Sequence, residues 1–225
     1  MIFTDFSQLT SAILLIVGAL LPVVNPLGDA PIFLRMTSGC DEATRAVLAK
    51  RIAFYSFLLL LGAMLLGSYV LRLFGLSIPM VQVAGGAVVC ALGWKLLAAE
   101  SPKPAEADPD PTHARAIALG RAFTPLTMPL TIDAGVISVA ITLGANHSRT
   151  FEHTIIEWLA AAIGPGIVAL SILLTYRYAY RVGLWIGHTG MMVVVRLSAF
   201  IVLCIGVEIT WNGVKALLAQ IHPPG

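Results

Sequence analysis

The chain has 225 residues, 58% of them hydrophobic and 12% charged, with a mean hydropathy of +0.88 and a formal net charge of +2. Soluble domains carry about 25% charged residues, so this composition excludes a soluble enzyme and leaves an integral membrane protein. The small net charge, with basic residues scattered among short loops, also excludes a nucleic-acid partner; the expected partners are the lipid bilayer and a small-molecule substrate.

A bilayer-crossing helix needs about 20 mostly apolar residues, and six segments qualify: 8–34, 52–71, 78–99, 122–145, 154–176 and 191–214. The first is expected to be retained, because nothing basic precedes Ile13–Val17 and no A-x-A site follows. It ends in a proline-rich stretch, Pro22 through Asn25, Pro26, Gly28, Asp29 and Pro31. The second and third carry Gly62, Gly67, Gly85 and Gly86, small residues that let helix backbones approach closely. Residues 101–112 follow, with four prolines, three acids and no apolar face, and read as a cytoplasmic linker. Halving that linker is expected to leave membrane insertion intact, since closure entropy changes by only about 0.6 kcal/mol per doubling of length. Lost insertion would show that it folds or docks.

The fourth segment repeats the pattern of the first. Pro22-x-x-x-Pro26-Leu27 is matched by Pro125-x-x-x-Pro129-Leu130, and Asp29-Ala30 by Asp133-Ala134. Gly164-Pro165-Gly166 in the fifth segment marks a hinge or a kink. Glu157, Trp158, Glu208 and Trp211 suit a membrane interface. Gln82, Ser138, Thr142 and Asn146 read as helix-packing polar groups or as lining of a path. Cys40, Cys90 and Cys204 form no CxxC pair, and His147 and His153 lack the i, i+4 spacing of a zinc helix, so no disulfide framework, metal or cofactor is expected.

Eleven of the fourteen Lys and Arg residues fall in the connections after segments one, three and five. By the positive-inside rule those connections are cytoplasmic and both termini face outward. The linker thus separates two three-helix halves, 1–100 and 121–225, with 101–120 between them. An odd number of spans per half inserts the second half upside down, the arithmetic of an inverted repeat. The predicted fold is all-α, with six spans in two inverted repeats and helices 1 and 4 broken mid-membrane.

Proline removes a helix donor and clashes with the preceding turn, and an unwound backbone in hydrocarbon is tolerated only inside protein or beside a wet cavity. Paired breaks in inverted halves point to a transporter's central site; ordinary kinked helices are the simpler alternative. Half-helices starting after Gly28 and Ile132 would offer free N–H groups to an anionic group. Asp133, far from the flanking Arg121 and Arg149, is placed near mid-membrane and is the candidate ion-coupling residue, while Asp29 lies nearer the cytoplasm. Helix capping is the alternative role for each, and the favoured one for Asp29.

With Asn-Pro-Leu-Gly-Asp-Ala-Pro-Ile-Phe at 25–33, Pro-Leu-Thr-Met-Pro at 125–129, Phe-Gly-Leu-Ser-Ile-Pro at 74–79 and Ala-Gly-Gly at 84–86, the chain resembles the MarC family of six-helix bacterial inner-membrane proteins. The resemblance implies the bacterial inner membrane and a relation to small neutral amino acid transporters. This chain departs from the family pattern at Asp133-Ala134-Gly135, where Gly-Pro-Gly is usual, and at Asp29, where Asn is frequent. The expected activity is secondary transport of a small zwitterionic solute, with Asn25, Pro26, Gly28, Asp29, Pro31, Pro129, Asp133, Gly135 and Ser138 forming the site. Coupling to Na⁺ or H⁺ and the oligomeric state stay open. The rivals are a passive channel or non-transporting partner subunit and, more remotely, an intramembrane aspartyl protease using Asp29 and Asp133, for which the G-x-G-D pattern is missing.

Overall fold

The computed structural model describes residues 2–37, 39–98, 116, 117, 119–145 and 154–221. The linker 101–112, Asn146, His147 and His153 lie outside the described residues. Among the described residues all regular structure is helical. The elements are α1 (Ile2–Val24), α2 (Pro26–Met36), α3 (Glu42–Leu73), α4 (Ile78–Ala98), α5 (Ala122–Thr131, wound as a π-helix), α6 (Ala134–Ala145) and α7 (Thr154–Ile221). Five stretches are long and apolar enough to cross a membrane, and a sixth span results if α5 and α6, bent by 70°, count as one.

Local chemistry sets the ends of α3. Asp41 caps its start, Oδ1 accepting the Thr44 N–H at 3.1 Å, so the helix begins ten residues before the apolar segment does. Gly75, at φ 66°, ends it by turning the chain so that the Leu76 N–H reaches the Leu71 carbonyl at 2.9 Å. At 32 residues, α3 is about 48 Å long and outruns the hydrocarbon layer. In the turn before α3, burial raises the pKa of the Cys40 thiol, nearby Arg45 lowers it, and Asp41 raises it. Maleimide labelling of Cys40 is therefore expected to reach half its maximal rate above the pH of about 8.5 that marks a free thiol; a midpoint at or below that value contradicts the raised pKa.

Helical winding in α7 runs unbroken through Gly164-Pro165-Gly166, with Gly164 seated on the Ile16 side chain of α1. The element holds two spans, Trp158–Arg181 and Arg196–Gln220. Tyr176 stacks on Phe33 of α2, and Ser198 lies against Gly28 of the same short helix. A straight helix would hold residues 176 and 198 about 33 Å apart, against about 8 Å between residues 28 and 33. The element is therefore sharply bent between its two spans.

That second span packs on α4 backbone to backbone. A Cβ at Gly86 would meet Thr210 N at 2.6 Å, one at Gly93 would meet Leu203 N at 2.7 Å, and one at Gly213 would meet Pro79 O at 2.8 Å. Numbers rise along α4 as they fall along α7, so the two run antiparallel. Gly67 likewise accommodates Ile141 of α6, but Gly62 faces open space and supports no helix contact, contrary to its expected packing role. The core is apolar, with Leu20, Phe33, Ile52, Leu126, Ile172 and Tyr176 among its fully buried side chains. Leu14, Leu66, Leu73 and Trp94 are each more than 60% exposed, an outward apolar surface suited to lipid tails.

Candidate functional site

The first break is built by two adjacent residues. Asn25 closes α1 by donating its N–H to the Leu21 carbonyl at 2.9 Å, then turns left-handed at φ 46° and ψ 57°, a conformation Asn tolerates better than most residues. Pro26 follows at the first position of α2, where a missing N–H costs nothing. The Asn25 carbonyl accepts the N–H groups of Gly28 and Asp29 at 3.0 and 3.2 Å, and its Oδ1 accepts that of Gly28 at 3.3 Å.

This corrects two expectations: α2 starts at Pro26 rather than after Gly28, and its cap is Asn25 rather than Asp29. Asp29 occupies the first turn, where a carboxylate complements the positive end of the helix.

The second break is a bend between α5 and α6. The backbone leaves the helical region at Thr124 and Met128, and Ile132 is extended, its N–H reaching back to Thr127 O at 2.8 Å. Asp133, 7% exposed, then caps α6, with Oδ1 accepting the Val136 N–H at 2.8 Å. N–H donors that were expected to be free for an anionic ligand are thus engaged by Asn25, four residues before the expected start of the first half-helix, and by Asp133, at the expected start of the second. Asp133→Ala is expected to cost about 1 kcal/mol of stability, and Asp133→Asn almost none, because Asn caps as well as Asp; melting in detergent reads the difference. Equal losses would rule out the capping role.

The structure gathers part of the expected set. Gly28 and Gly135 are buried and have no room for a side chain. A Cβ on Gly28 would meet the Asn25 amide and lie 2.5 Å from Ser198 Cβ; one on Gly135 would strike Val89 and lie 3.3 Å from Asp133 Oδ1. Asp29 and Asp133 interact electrostatically, as do Asp29 and Tyr176. Ser138 is fully buried one turn into α6, facing Gly85 of α4. Pro26 is buried and Pro31 half-buried, both shaping the backbone of α2, while Pro129 is exposed.

Three members were not found by sequence reasoning. Tyr176 shares a 2.8 Å hydrogen bond with Thr131 Oγ1 and stacks on Phe33 with ring centres 4.6 Å apart, so it ties α7 to both broken segments. Ser198 comes from the second span of α7. In sequence, Tyr176 is one of three tyrosines at the basic end of an apolar run and resembles an interfacial anchor; only its burial distinguishes it from the exposed Tyr178 and Tyr180.

The arrangement sets polar groups, helix starts and two carboxylates inside an otherwise apolar bundle. Among known sequences, the description "MarC family integral membrane protein" matches residues 10–218. The chain is 28% identical over 199 residues to UPF0056 membrane protein YvbG of Bacillus subtilis (strain 168), covering 88% of this chain and 92% of that protein. It is 30% identical over 217 residues to UPF0056 inner membrane protein MarC of Citrobacter koseri, covering 90% and 94%. No solved structure matches. Because the match extends from α1 through the second span of α7 and takes in both breaks, the chain belongs to the MarC family of integral membrane proteins.

Proposed function

We propose that the protein is a secondary transporter of a small zwitterionic solute, a neutral amino acid in the reading that the family resemblance implies. Two inverted three-helix halves, 1–100 and 121–225 joined by the linker 101–120, rock around a site at the two breaks. The observation that carries this reading is the pairing of the breaks: matching proline motifs lead to a capped helix restart at Pro26 and again at Ala134. Antiparallel packing of α4 on the second span of α7 is what a repeat inverted about an in-plane axis requires of its third helices. In this reading the membrane is the bacterial inner membrane, as the name of the Citrobacter koseri relative has it. The basic connections are cytoplasmic and both termini face outward.

Purified protein in proteoliposomes preloaded with glycine, alanine or serine should show counterflow of the radiolabelled solute, saturable with concentration. Absence of exchange across a broad amino acid panel would overturn the reading, and linear unsaturable flux would favour a channel. Asp133 is the coupling carboxylate. Its two roles separate in one variant, because Asp133→Asn keeps the cap and removes the charge. Transport by that variant should lose its dependence on Na⁺ or pH while thermal stability stays at the parental value. Unchanged ion dependence would leave Asp133 a cap alone.

A further inference from the structure

Two places where the broken helices touch the rest of the bundle share one chemistry. In the first turn of α2, Gly28 meets Ser198, and a Cβ there would lie 2.8 Å from Ser198 Oγ. One turn into α6, Ser138 meets Gly85, whose added Cβ would lie 2.7 Å from Ser138 Cβ and 3.0 Å from its Oγ. One turn further along α6, Gln82 of α4 donates to Thr142 Oγ1 at 3.2 Å. Each contact lies just beyond a break, on the side toward which that half-helix runs. Each has no slack, so a path past it opens only if whole helices separate.

We propose that these two glycine–serine contacts are the two gates of the transport path, Gly28–Ser198 on the cytoplasmic side and Gly85–Ser138 on the outer side, the outer one latched by Gln82–Thr142. The proposal rests on the transport reading above and names the moving contacts of that same site.

Two further observations support it. Ser138 Oγ is buried without a hydrogen-bond partner among the described residues. Thr127, Thr131, Thr142 and Thr210 instead return their hydroxyls to carbonyls of their own helices. A buried hydroxyl without a partner is destabilising, and parting α6 from α4 would wet it, so the closed seam carries its own bias toward opening.

Gly85 and Ser198 also stand on one unit. α4 and the second span of α7 meet through Gly86, Gly93, Gly206 and Gly213, each of which lies against backbone atoms of the other helix. Such a contact resists sliding, so α2 and α6 move against a common beam. Both glycine–serine contacts are closed in this structure, and a tilt that opens one holds the other shut.

The test uses protein with Cys40, Cys90 and Cys204 replaced by alanine, carrying Gln82→Cys, Thr142→Cys and Ser198→Cys. Oxidising the pair at 82 and 142 locks the outer seam shut. The thiol at 198 should then react with a water-soluble maleimide about twofold faster, the shift expected when one of two equally populated open states is removed; reductant should reverse it. An unchanged or slower rate overturns the gating assignment. Gln82→Leu, which removes the latch without adding bulk, should speed labelling of a Ser138→Cys thiol at unchanged thermal stability, and unchanged labelling overturns the latch. Neither readout needs a transported solute, so a failure to find one would count against the transport reading alone.

Discussion

Gly206→Val is expected to abolish assembly of the bundle. A Cβ at this position lies 2.6 Å from Cys90 N, 2.8 Å from Cys90 Sγ and 3.0 Å from Gly86 O. Two of the three are backbone atoms of α4, which cannot rotate aside as a side chain would. Overpacking a core costs about 1–3 kcal/mol where neighbours can shift; here the helices themselves must separate, and Gly93 and Gly213 would lose their contacts with them. Gly206→Ala should give a protein with a markedly lowered melting temperature in detergent, and valine no monodisperse protein at all. Gly62→Ala, which faces open space, serves as the matched control and should melt like the parent. If Gly206→Val purifies with parental stability, the close packing of α4 on α7 is wrong.

Gly28→Val should have the second large effect, of a different kind. Its added bulk strikes the Asn25 amide and Ser198, side chains rather than backbone, so the protein is expected to insert and purify. Transport should fail, because the clash falls between the break and the last span. An overpacking cost of about 1–3 kcal/mol spent on that contact corresponds to about 5- to 150-fold in exchange rate, at 1.4 kcal/mol per factor of ten. Ser198→Gly removes the Cβ and Oγ that Gly28→Ala would strike, so the double variant should recover part of the lost exchange. No recovery would mean that Gly28 acts through Asn25 alone; normal exchange by Gly28→Val would place the site elsewhere.

Legibility in the sequence follows from how local the determining chemistry is. The spans were readable because hydrophobic length is a property of the segment itself, and the end of α1 and the irregular winding of α5 because Asn25-Pro26 and Pro125-x-x-x-Pro129 act on their own backbone. Helix restarts were displaced by only a few residues, since Asp29 is itself a capping residue type and was read as the cap that the hydrogen bonds assign to Asn25. The start of α3 was missed by ten residues because Asp41, a capping residue in a polar stretch, carries no hydropathy signal. Continuity of α7 through Pro165 was illegible because the packing of Gly164 on Ile16 lies in another helix. Tyr176, Thr131 and Ser198 were missed for the same reason: each joins the site through a neighbour far away in sequence.

In the proposed transporter, breaks at mid-membrane would have an electrical consequence. α2 and α6 are 11 and 12 residues long, about 16 and 18 Å, or roughly half of a hydrocarbon layer about 30 Å thick. In that reading a solute released from either break toward the nearer surface would cross half the membrane, and so about half the transmembrane voltage. For a load with one net charge, each half-journey is worth about 1.1 kcal/mol per 100 mV, half of the full-crossing value. A zwitterion carries no net charge and feels almost none of it, so exchange of neutral amino acids would run at the same rate in polarised and depolarised vesicles, and any voltage dependence would belong to a coupled ion.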